Sequence, residues 1–249
     1  RDPREILFEF KRRTLVHFAV DTEQVRMTTK LAAGATTFLP FNRGLNGGSG
    51  NPTYQDEAKH RTAYLWEEVW QRDSWMEILG SFIHLQIEER KTDEGEKIKK
   101  EVMVFPRYHQ IDAVRRIVAA ARTEGPGHNY LVEHSAGSGK SNTIAWLAHR
   151  LSSLHNANDV RVFDSVVVIS DRRVLDKQLQ DVIYQFEHKQ GVVQKIDKDS
   201  RQLAEALQSG VPVVITTLQK FPFVTDQLRK IAEEQERSSN GLLPKRTYA

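Results

Sequence analysis

The second half of the chain alternates short apolar runs with longer segments in which apolar residues recur at helical spacing. The apolar runs, which predict strands, are 130–133, 165–170 and 212–216. The segments that predict helices are 140–151, 173–185, 201–208 and 220–235. Strands that alternate with helices of about ten or more residues are typical of a parallel sheet with helices on both faces. We therefore predict an α/β domain over this half of the chain.

The first half begins with strand and turn patterns. Residues 14–20 and 24–29 read as two short strands joined by the polar turn 21–23, which predicts a β-hairpin. A glycine-rich segment follows at 40–52. Loops this rich in glycine either carry contacts or simply connect elements, and composition leaves both possibilities open.

The middle of the chain passes from an apolar stripe to a charged stretch. Between residues 64 and 83 apolar residues recur at helical spacing and predict one or two packed helices, with Trp66 and Trp70 widening the stripe. Because such a stripe usually faces inward, we expect these aromatic residues in the core rather than on a base-stacking surface. Most residues from 90 to 101 are charged, with Gly95 among them, which predicts a solvated connection and a domain boundary.

Composition narrows the class of protein. With 249 residues and 39% hydrophobic content, the chain can bury one substantial core or two small ones, which excludes a disordered protein. The net charge of +3 and the pI near 9.0 permit a nucleic-acid partner without arguing for one. Cysteine is absent, which excludes disulfides, thiolate zinc sites and a cysteine nucleophile and favours the reducing cytoplasm. No apolar run approaches the roughly 18 residues that span a bilayer, so we expect no membrane partner.

The segment from Asn129 to Ser141 carries the strongest chemical signal. An apolar run leads into a Gly-Ser-Gly-Lys-Ser turn, and a helical pattern follows. Glycines let backbone N–H groups turn toward an anion, and the positive end of the following helix dipole faces the same point. Lys140 would then reach the β- and γ-phosphates of a nucleotide, and the hydroxyl of Ser141 would ligate Mg²⁺. One departure is His134, which stands where the usual phosphate-loop pattern has its first glycine.

A second nucleotide signal lies upstream, in residues 105–110. A side-chain amide can bond both the donor and the acceptor edge of adenine, and Gln110 lies about twenty residues before the predicted strand. The signal is weak alone, because a single glutamine is usually a surface residue and Arg107 could equally cap a neighbouring helix. Both interpretations stay open at this point.

The order of these motifs resembles the first motor lobe of superfamily 2 helicases and translocases. Five segments narrow the resemblance to the endonuclease (R) subunit of type I restriction-modification systems. They are PFNRG at 40–44, YLWEEVWQRD at 64–73, FPRYHQ at 105–110, HSAGSGKS at 134–141 and SDRRVLD at 170–176. The resemblance covers essentially the whole chain. His134 fits it, because that family often places histidine at this position.

The resemblance implies a role for each matched residue. Arg107 and Gln110 match the motif that reads adenine. The residues that match the phosphate and magnesium site, with Lys140 and Ser141 in the catalytic roles, are His134, Ser135, Ala136, Gly137, Ser138, Gly139, Lys140 and Ser141. The residues that match segments gripping one DNA strand are Ser170, Asp171, Arg172, Thr216 and Thr217. Strand ends of an open parallel sheet are where ligands bind, and hydroxyl and N–H groups suit phosphate, although a helix N-cap is another role for the first three.

The resemblance also implies a fold, an activity and partners. The implied fold is a RecA-like parallel sheet with helices on both faces, the first motor lobe of a P-loop NTPase, preceded by a smaller α+β segment. The expected domains are the end of a nuclease-like domain without its catalytic set at 1–55, a helical connector and charged linker at 56–100, and a truncated ATP-binding lobe at 101–249. The implied activity is ATP-dependent translocation and cleavage of DNA, with ATP and Mg²⁺ as cofactors. The implied partners are double-stranded DNA and the methyltransferase and specificity subunits, in the cytoplasm.

Two acidic groups imitate catalytic motifs, and we assign neither a catalytic role. Residues 56–59 look like a magnesium-binding acidic box, but they precede the phosphate loop and no apolar strand leads into them. Asp2, Glu9 and Lys11 imitate the metal-binding set of a restriction nuclease. The six intervening residues leave little chain for the strand hairpin that normally separates such groups. In the resembled family the catalytic set lies before a segment like this one.

The resemblance places further motor parts beyond this segment. In that family a segment like 247–249 continues into a strand ending in Asp-Glu-Ala-His and then into a second lobe with an arginine finger. Without these groups we expect this piece to bind ATP weakly and not to turn it over at a useful rate.

Two other classes of function stay open. One is the first lobe of another superfamily 2 helicase or chromatin-type remodeller without a nuclease, and the other is a non-enzymatic module with a vestigial phosphate loop. An Asp and a Glu-x-Lys on predicted strands upstream in the parent gene would favour the restriction enzyme. Unchanged parent function after Lys140→Ala would favour the module.

Overall fold

The first part of the chain is built on antiparallel strands and the second on a parallel sheet. The computed structural model describes residues 2–91, 97–171, 173–185, 192–196, 199–236 and 247–249. The chain divides into two compact units, residues 1–112 and 113–249. The domain boundaries expected near residues 55 and 100 stay predictions. Among the described residues, no helix combines the length and the apolar character needed to cross a bilayer.

A three-stranded antiparallel sheet opens the first unit. Its strands lie in the order β1-β2-β3 and are β1 (His17–Val20), β2 (Val25–Thr28) and β3 (Leu39–Pro40). The turn between β1 and β2 is fixed by Asp21, whose carboxylate accepts hydrogen bonds from the N–H groups of Glu23 and Gln24 at 2.7 and 2.8 Å. These bonds hold the pKa of Asp21 below its usual value. The predicted hairpin is confirmed.

Helical elements and an aromatic core follow. The helical elements are the π-helix Leu65–Val69 and α1 (Arg72–Ser81). The buried rings of Phe41 and Phe105 and the half-buried ring of Phe18 have centroids 5.4 to 6.0 Å apart. Such tilted and edge-to-face pairs stabilise a core beyond the burial of their area.

Trp66 and Trp70 depart from the expected core, since they are 42% and 43% exposed. Leu65 and Val69, one position earlier in each case, are 0% and 2% exposed. Residues four apart share a face of a helix, so burial of this pair turns the two tryptophans toward solvent. Trp70 keeps an edge-to-face contact with Phe18 at 5.6 Å. The prediction was right for the helical element and wrong for the burial of these two side chains.

The described residues of the charged stretch belong to two paired strands. β4 (His84–Lys91) and β5 (Lys97–Val104) pair along their whole length as an antiparallel ribbon. The β-branched residues Ile87 and Val102 favour strands, and charged neighbours do not prevent a strand from pairing. The sequence predicted a solvated connection here and did not predict this strand pairing, while Gly95 lies outside the described residues.

A parallel sheet forms the centre of the second unit. Its strands lie in the order β6-β8-β7 and are β6 (Val166–Ser170), β7 (Val193–Lys195) and β8 (Val213–Thr217). All five residues of β8 are buried, as is typical of a central strand in a parallel sheet. On the other side of β6, Ser165 pairs in parallel with Tyr248, and the N–H of Val167 donates to the carbonyl of Ala249 at 2.8 Å. Residues 247–249 therefore lie along the outer edge of β6.

The helices after the phosphate loop agree with the predicted alternation, and α2 (Tyr108–Glu124) precedes them. They are α3 (Lys140–Ser152), α4 (Arg173–Gln185), α5 (Ser200–Ser209) and α6 (Val224–Glu236). Asp199 caps α5 by accepting a bond from the N–H of Gln202 at 3.0 Å. Leu203 of α5 and Val214 of β8, both 0% exposed, meet in one buried cluster. A mixed α/β fold with a parallel sheet is confirmed, at the small size of three strands, and the complete RecA-like architecture stays a prediction.

Residues 130–133 are the clearest departure from the predicted sheet. No strand pairing involves them in the part of the chain that the structure describes, and Leu131 is 94% exposed. A strand needs backbone partners on a neighbour, and the outer edge of β6 is occupied by 247–249. The strand prediction is therefore wrong here. The last predicted helix also begins later, at Val224, because residues 218–220 form a 3₁₀ turn.

Candidate nucleotide-binding site

The turn before α3 has the backbone geometry of a phosphate-binding loop. Gly137 and Gly139 have φ angles of +73° and +81°, in the left-handed region that favours glycine. Gly139 is the N-cap of α3, and its carbonyl accepts bonds from the N–H groups of Asn142 and Thr143 at 3.1 and 3.3 Å. Such a turn presents backbone N–H groups to an anion at the point where the helix dipole is positive.

Lys140 is held by the same loop. Its ammonium donates hydrogen bonds to the carbonyl oxygens of His134 at 3.1 Å and Ser135 at 2.8 Å. The N–H of Ser138 donates to the carbonyl of Ser135 at 3.3 Å, which closes the turn. Ser141 follows in the first turn of α3 and is half-buried. An ammonium, a hydroxyl and glycine amides on one short loop fit a polyphosphate with its metal ion, because each group suits a phosphate oxygen or the cation beside it.

The two segments matched to DNA contact lie side by side at the carboxyl edge of the parallel sheet. Ser170 ends β6 and pairs in register with Thr217 at the end of β8. The side-chain amide of Gln219 donates to the carbonyl of Asp171 at 3.0 Å and so joins the two segments beyond the strands. This edge is where ligands bind in open parallel sheets.

The side chains at the end of β8 are not exposed. Thr216 and Thr217 are 1% and 7% exposed, because β8 is the central strand. Arg172 lies outside the described residues. The DNA contacts expected of these residues stay predictions, and for Thr216 and Thr217 the backbone is the part that lies at the edge.

The residues matched to adenine recognition lie in the first unit, at the start of α2. The N–H of Arg107 donates to Oε1 of Gln110 at 2.8 Å, while the carbonyl of Arg107 accepts from the N–H groups of Gln110 and Ile111. A side chain that reaches back in this way from the third helical position forms half of a capping box. Gln110 is 3% exposed, and burial lowers the pKa of Arg107. Gln110 is thus a helix-capping residue, and its contact with adenine stays a prediction.

The glycine-rich segment makes defined contacts, a question that composition left open. Leu45 and Gly48 exchange two backbone hydrogen bonds, at 3.0 and 2.8 Å, around Asn46 and Gly47. These two central residues have φ angles of +49° and +76°. Positive φ at both positions defines a tight two-residue hairpin turn, for which Asn-Gly is the preferred sequence. The Asn-Gly pair is a sequence signal that could have predicted this turn.

Two asparagines fix this loop to the β1–β2 hairpin. Asn51 is 1% exposed, and its Oδ1 accepts a bond from the N–H of Arg43 at 2.8 Å. Its Nδ2 donates to the carbonyl of Glu23 and to Oδ1 of Asn42, both at 2.9 Å. Oδ1 of Asn42 also accepts from the N–H of Val25 at 2.7 Å. The loop is therefore an ordered structure that holds the backbone of Arg43.

The acidic groups that imitate catalytic motifs make local contacts. Glu9 pairs with Arg12 at 3.3 Å, and Lys11 pairs with Glu101 at 2.8 Å. The carboxylate of Asp56 accepts a bond from the backbone two residues further on, at 3.0 Å. Within the range that the structure describes, no group of three or more His, Asp or Glu side chains is arranged to hold a metal ion.

The glycine turn, its lysine and the helix that follows define a P-loop nucleotide-binding protein with a parallel α/β sheet. The sequence model of the SWI2/SNF2 ATPase family matches residues 109–242, which is more than half of the 249 residues. The chain belongs to the SWI2/SNF2 ATPase family. It is therefore a helicase-like ATPase by family, which is consistent with ATP as its nucleotide. Comparisons with curated proteins and with solved structures gave no match.

Proposed function

We propose that the chain is part of the R subunit of a type I restriction-modification enzyme, an ATP-dependent double-stranded DNA translocase and endonuclease. The family match supports a helicase-like ATPase. The narrower proposal is supported by motifs that the chain shares with R subunits in both compact units, including PFNRG at 40–44 and YLWEEVWQRD at 64–73, which lie outside the matched range. The cytoplasm is the proposed compartment.

The loop at 134–141 is proposed to bind the phosphates of ATP. Lys140 would exchange the carbonyl oxygens of His134 and Ser135 for the β- and γ-phosphate oxygens, which are stronger partners for an ammonium. The hydroxyl of Ser141 would hold Mg²⁺, whose chemistry when bound is to neutralise charge on the phosphates. Arg107 and Gln110 are proposed to contact adenine, as in the family that the chain resembles.

The carboxyl edge of the parallel sheet is proposed to contact the backbone of one DNA strand. The residues concerned are Ser170, Asp171, Arg172, Thr216 and Thr217. Hydroxyl and backbone N–H groups bind phosphate oxygens without reading sequence, which suits a translocase. Recognition of a DNA site would belong to the proposed partners, the methyltransferase and specificity subunits.

The observation that carries the proposal is the loop that joins two left-handed glycines to the ammonium of Lys140. We expect Lys140→Ala to weaken Mg·ATP binding by about ten- to a hundredfold, since hydrogen bonds to charged groups contribute about 1.5–3 kcal/mol. Titration calorimetry with concentrated protein measures this. Lys230→Ala, which removes an exposed lysine of the same unit, is the matched control and should bind as the wild type does. Equal affinity in all three proteins would contradict the proposal.

Another SWI2/SNF2-type motor without a nuclease is the second candidate, because the family match supports it equally. The two candidates differ in what the parent protein does to DNA. A restriction enzyme, assembled with its methyltransferase and specificity subunits, displaces a DNA triplex by translocation and also cleaves the duplex. Triplex displacement without cleavage would support the second candidate, and loss of both activities in Lys140→Ala would support a motor of either kind.

A further inference from the structure

The side chains of Arg43, Glu68 and Tyr108 contact one another in the first unit. Nη1 of Arg43 lies 3.1 Å from Oε1 of Glu68, and the hydroxyl of Tyr108 donates to Oε2 of the same carboxylate at 3.3 Å. The guanidinium carbon of Arg43 lies 5.7 Å from the ring centroid of Tyr108 and 5.8 Å from that of Tyr64, within cation–π range. Each of the three side chains therefore contacts the other two.

Neighbouring residues hold the side chains of Arg43, Glu68 and Tyr108 in place. The phenol of Tyr108 donates to Glu68, and burial raises the pKa of Tyr108 to about 12. The rings of Tyr64 and Tyr108 meet edge to face at 5.1 Å, and the hydroxyl of Tyr64 donates to the carbonyl of Phe41 at 2.8 Å. The backbone of Arg43 is fixed by the asparagine-anchored loop. These contacts tie the glycine-rich loop and the π-helix to the first residue of α2.

Tyr108 stands between the two residues matched to adenine recognition. The bond from the N–H of Arg107 to Oε1 of Gln110 fixes which end of the amide is the carbonyl, because an N–H needs an acceptor. An amide of fixed orientation accepts from N6 of adenine and donates to N7. Guanine presents acceptors at both O6 and N7, so the same amide would set its carbonyl against O6. A turn that prevents the side-chain amide of Gln110 from exchanging its carbonyl and NH2 ends therefore favours adenine over guanine.

We propose that Arg43, Glu68 and Tyr108 are positioning residues that hold the turn at 107–110 in the orientation that selects adenine over guanine. The inference rests on the proposed function, in which Gln110 contacts the base. The three residues act through the first turn of α2 and need not touch the nucleotide. The glycine-rich loop then has a function, which is to present Arg43 to Glu68 and Tyr108.

The test compares ATP with GTP as competitors of a fluorescent ADP analogue on the full chain. We expect the wild type to prefer ATP by about tenfold or more, since a site built to hydrogen-bond one group rejects the analogue that lacks it. Tyr108→Phe removes only the hydroxyl, and Glu68→Gln removes the charge and replaces one of the two acceptor oxygens by an NH2 donor. Each should reduce the ATP-to-GTP preference by about three- to tenfold, through weaker ATP binding with little change for GTP.

A matched control lies in the same π-helix. Glu67 pairs with Lys59 at 2.9 Å and takes no part in the contacts that the variants alter, so Glu67→Gln should keep the wild-type preference. Thermal unfolding checks that each variant is folded, and Arg43→Lys, which keeps the charge but loses the planar fork, replaces any variant that is not. An unchanged preference in the folded variants overturns the inference. A parallel loss of ATP and GTP affinity also overturns it, because that is the effect of a merely structural role.

Lys140→Ala separates failure of this inference from failure of the proposed function. If Lys140→Ala weakens ATP and GTP alike while Tyr108→Phe and Glu68→Gln keep the wild-type preference, the positioning role is wrong and the nucleotide site stands. If the wild type binds neither nucleotide, or if Lys140→Ala leaves binding unchanged, the proposed function is wrong and the inference falls with it.

Discussion

At the residue scale, the backbone angles of two glycines decide what the phosphate loop can do. Gly137 and Gly139 adopt positive φ, which residues with a Cβ reach only at a cost. At Gly137 a Cβ would meet no atom within 4 Å, so the requirement there is conformational and not one of space. The sequence predicted this turn well, because glycine is the residue that such a backbone demands.

Gly139→Ala should lower the free energy of unfolding by about 1–2 kcal/mol, the usual cost of a left-handed backbone for a residue with a Cβ. Urea denaturation measures the change. Gly80→Ala in the last turn of α1 is the control, since its φ is not positive, a Cβ there meets nothing within 4 Å and alanine favours a helix. It should raise the free energy of unfolding by about 0.5–1 kcal/mol. If the free energy of unfolding changed in the same direction in both variants, the left-handed backbone at Gly139 would be contradicted.

The sequence predicted the positions of some side chains and not of others. Residue type predicted that Lys140 belongs to the loop, and the structure places its ammonium on two loop carbonyls. The capping bond of Gln110 and the exposure of Trp66 and Trp70 were not predictable in the same way. They depend on which neighbour occupies the buried side of a helix, and periodicity alone does not contain that information.

At the scale of elements, the loop at 42–51 is held by side chains rather than by strand pairing. Asn51 is buried, receives one hydrogen bond and donates two, so it carries much of the order of this loop. Composition left open whether this loop carries contacts, and the structure shows that the two asparagines and the Asn-Gly turn fix one conformation.

Asn51→Ala should lower the free energy of unfolding by about 2–3 kcal/mol, because it leaves the N–H of Arg43 and the carbonyl of Glu23 without these partners. Asn158→Ala is the control, since Asn158 is exposed and should change stability by less than about 0.5 kcal/mol. Urea unfolding of both variants checks the difference. A loss at Asn51 no larger than that at Asn158 would show that the loop is not anchored in this way.

The type of element was predicted well for segments with a long helical pattern of apolar residues. It was predicted poorly for segments whose structure depends on pairing with another strand. The helices α3, α4 and α5 lie where helical spacing placed them. Residues 130–133 carry a strand-like run but lie in no ladder, and residues 97–101 are rich in charge yet belong to β5. A segment forms a strand only when a neighbouring strand pairs with its backbone. The sequence of the segment alone does not identify that neighbour.

At the scale of the whole molecule, the fold class and the family follow from the second half of the chain. The parallel sheet and the match to SWI2/SNF2 ATPases over 109–242 agree with a motor lobe. The first unit contributes motifs that resemble R subunits, and these carry the narrower proposal of a restriction motor. The proposed function depends on one chemical claim, which is that the loop before α3 binds the phosphates of ATP.

Two-dimensional amide NMR spectra of the isotope-labelled chain, titrated with Mg·ATP, test that claim most directly. We expect saturable shifts concentrated on the amides of residues 137–141, and a titration in Lys140→Ala that needs about ten- to a hundredfold more nucleotide. Unperturbed amides in this loop at saturating nucleotide, or shifts that persist unchanged in Lys140→Ala, would contradict it.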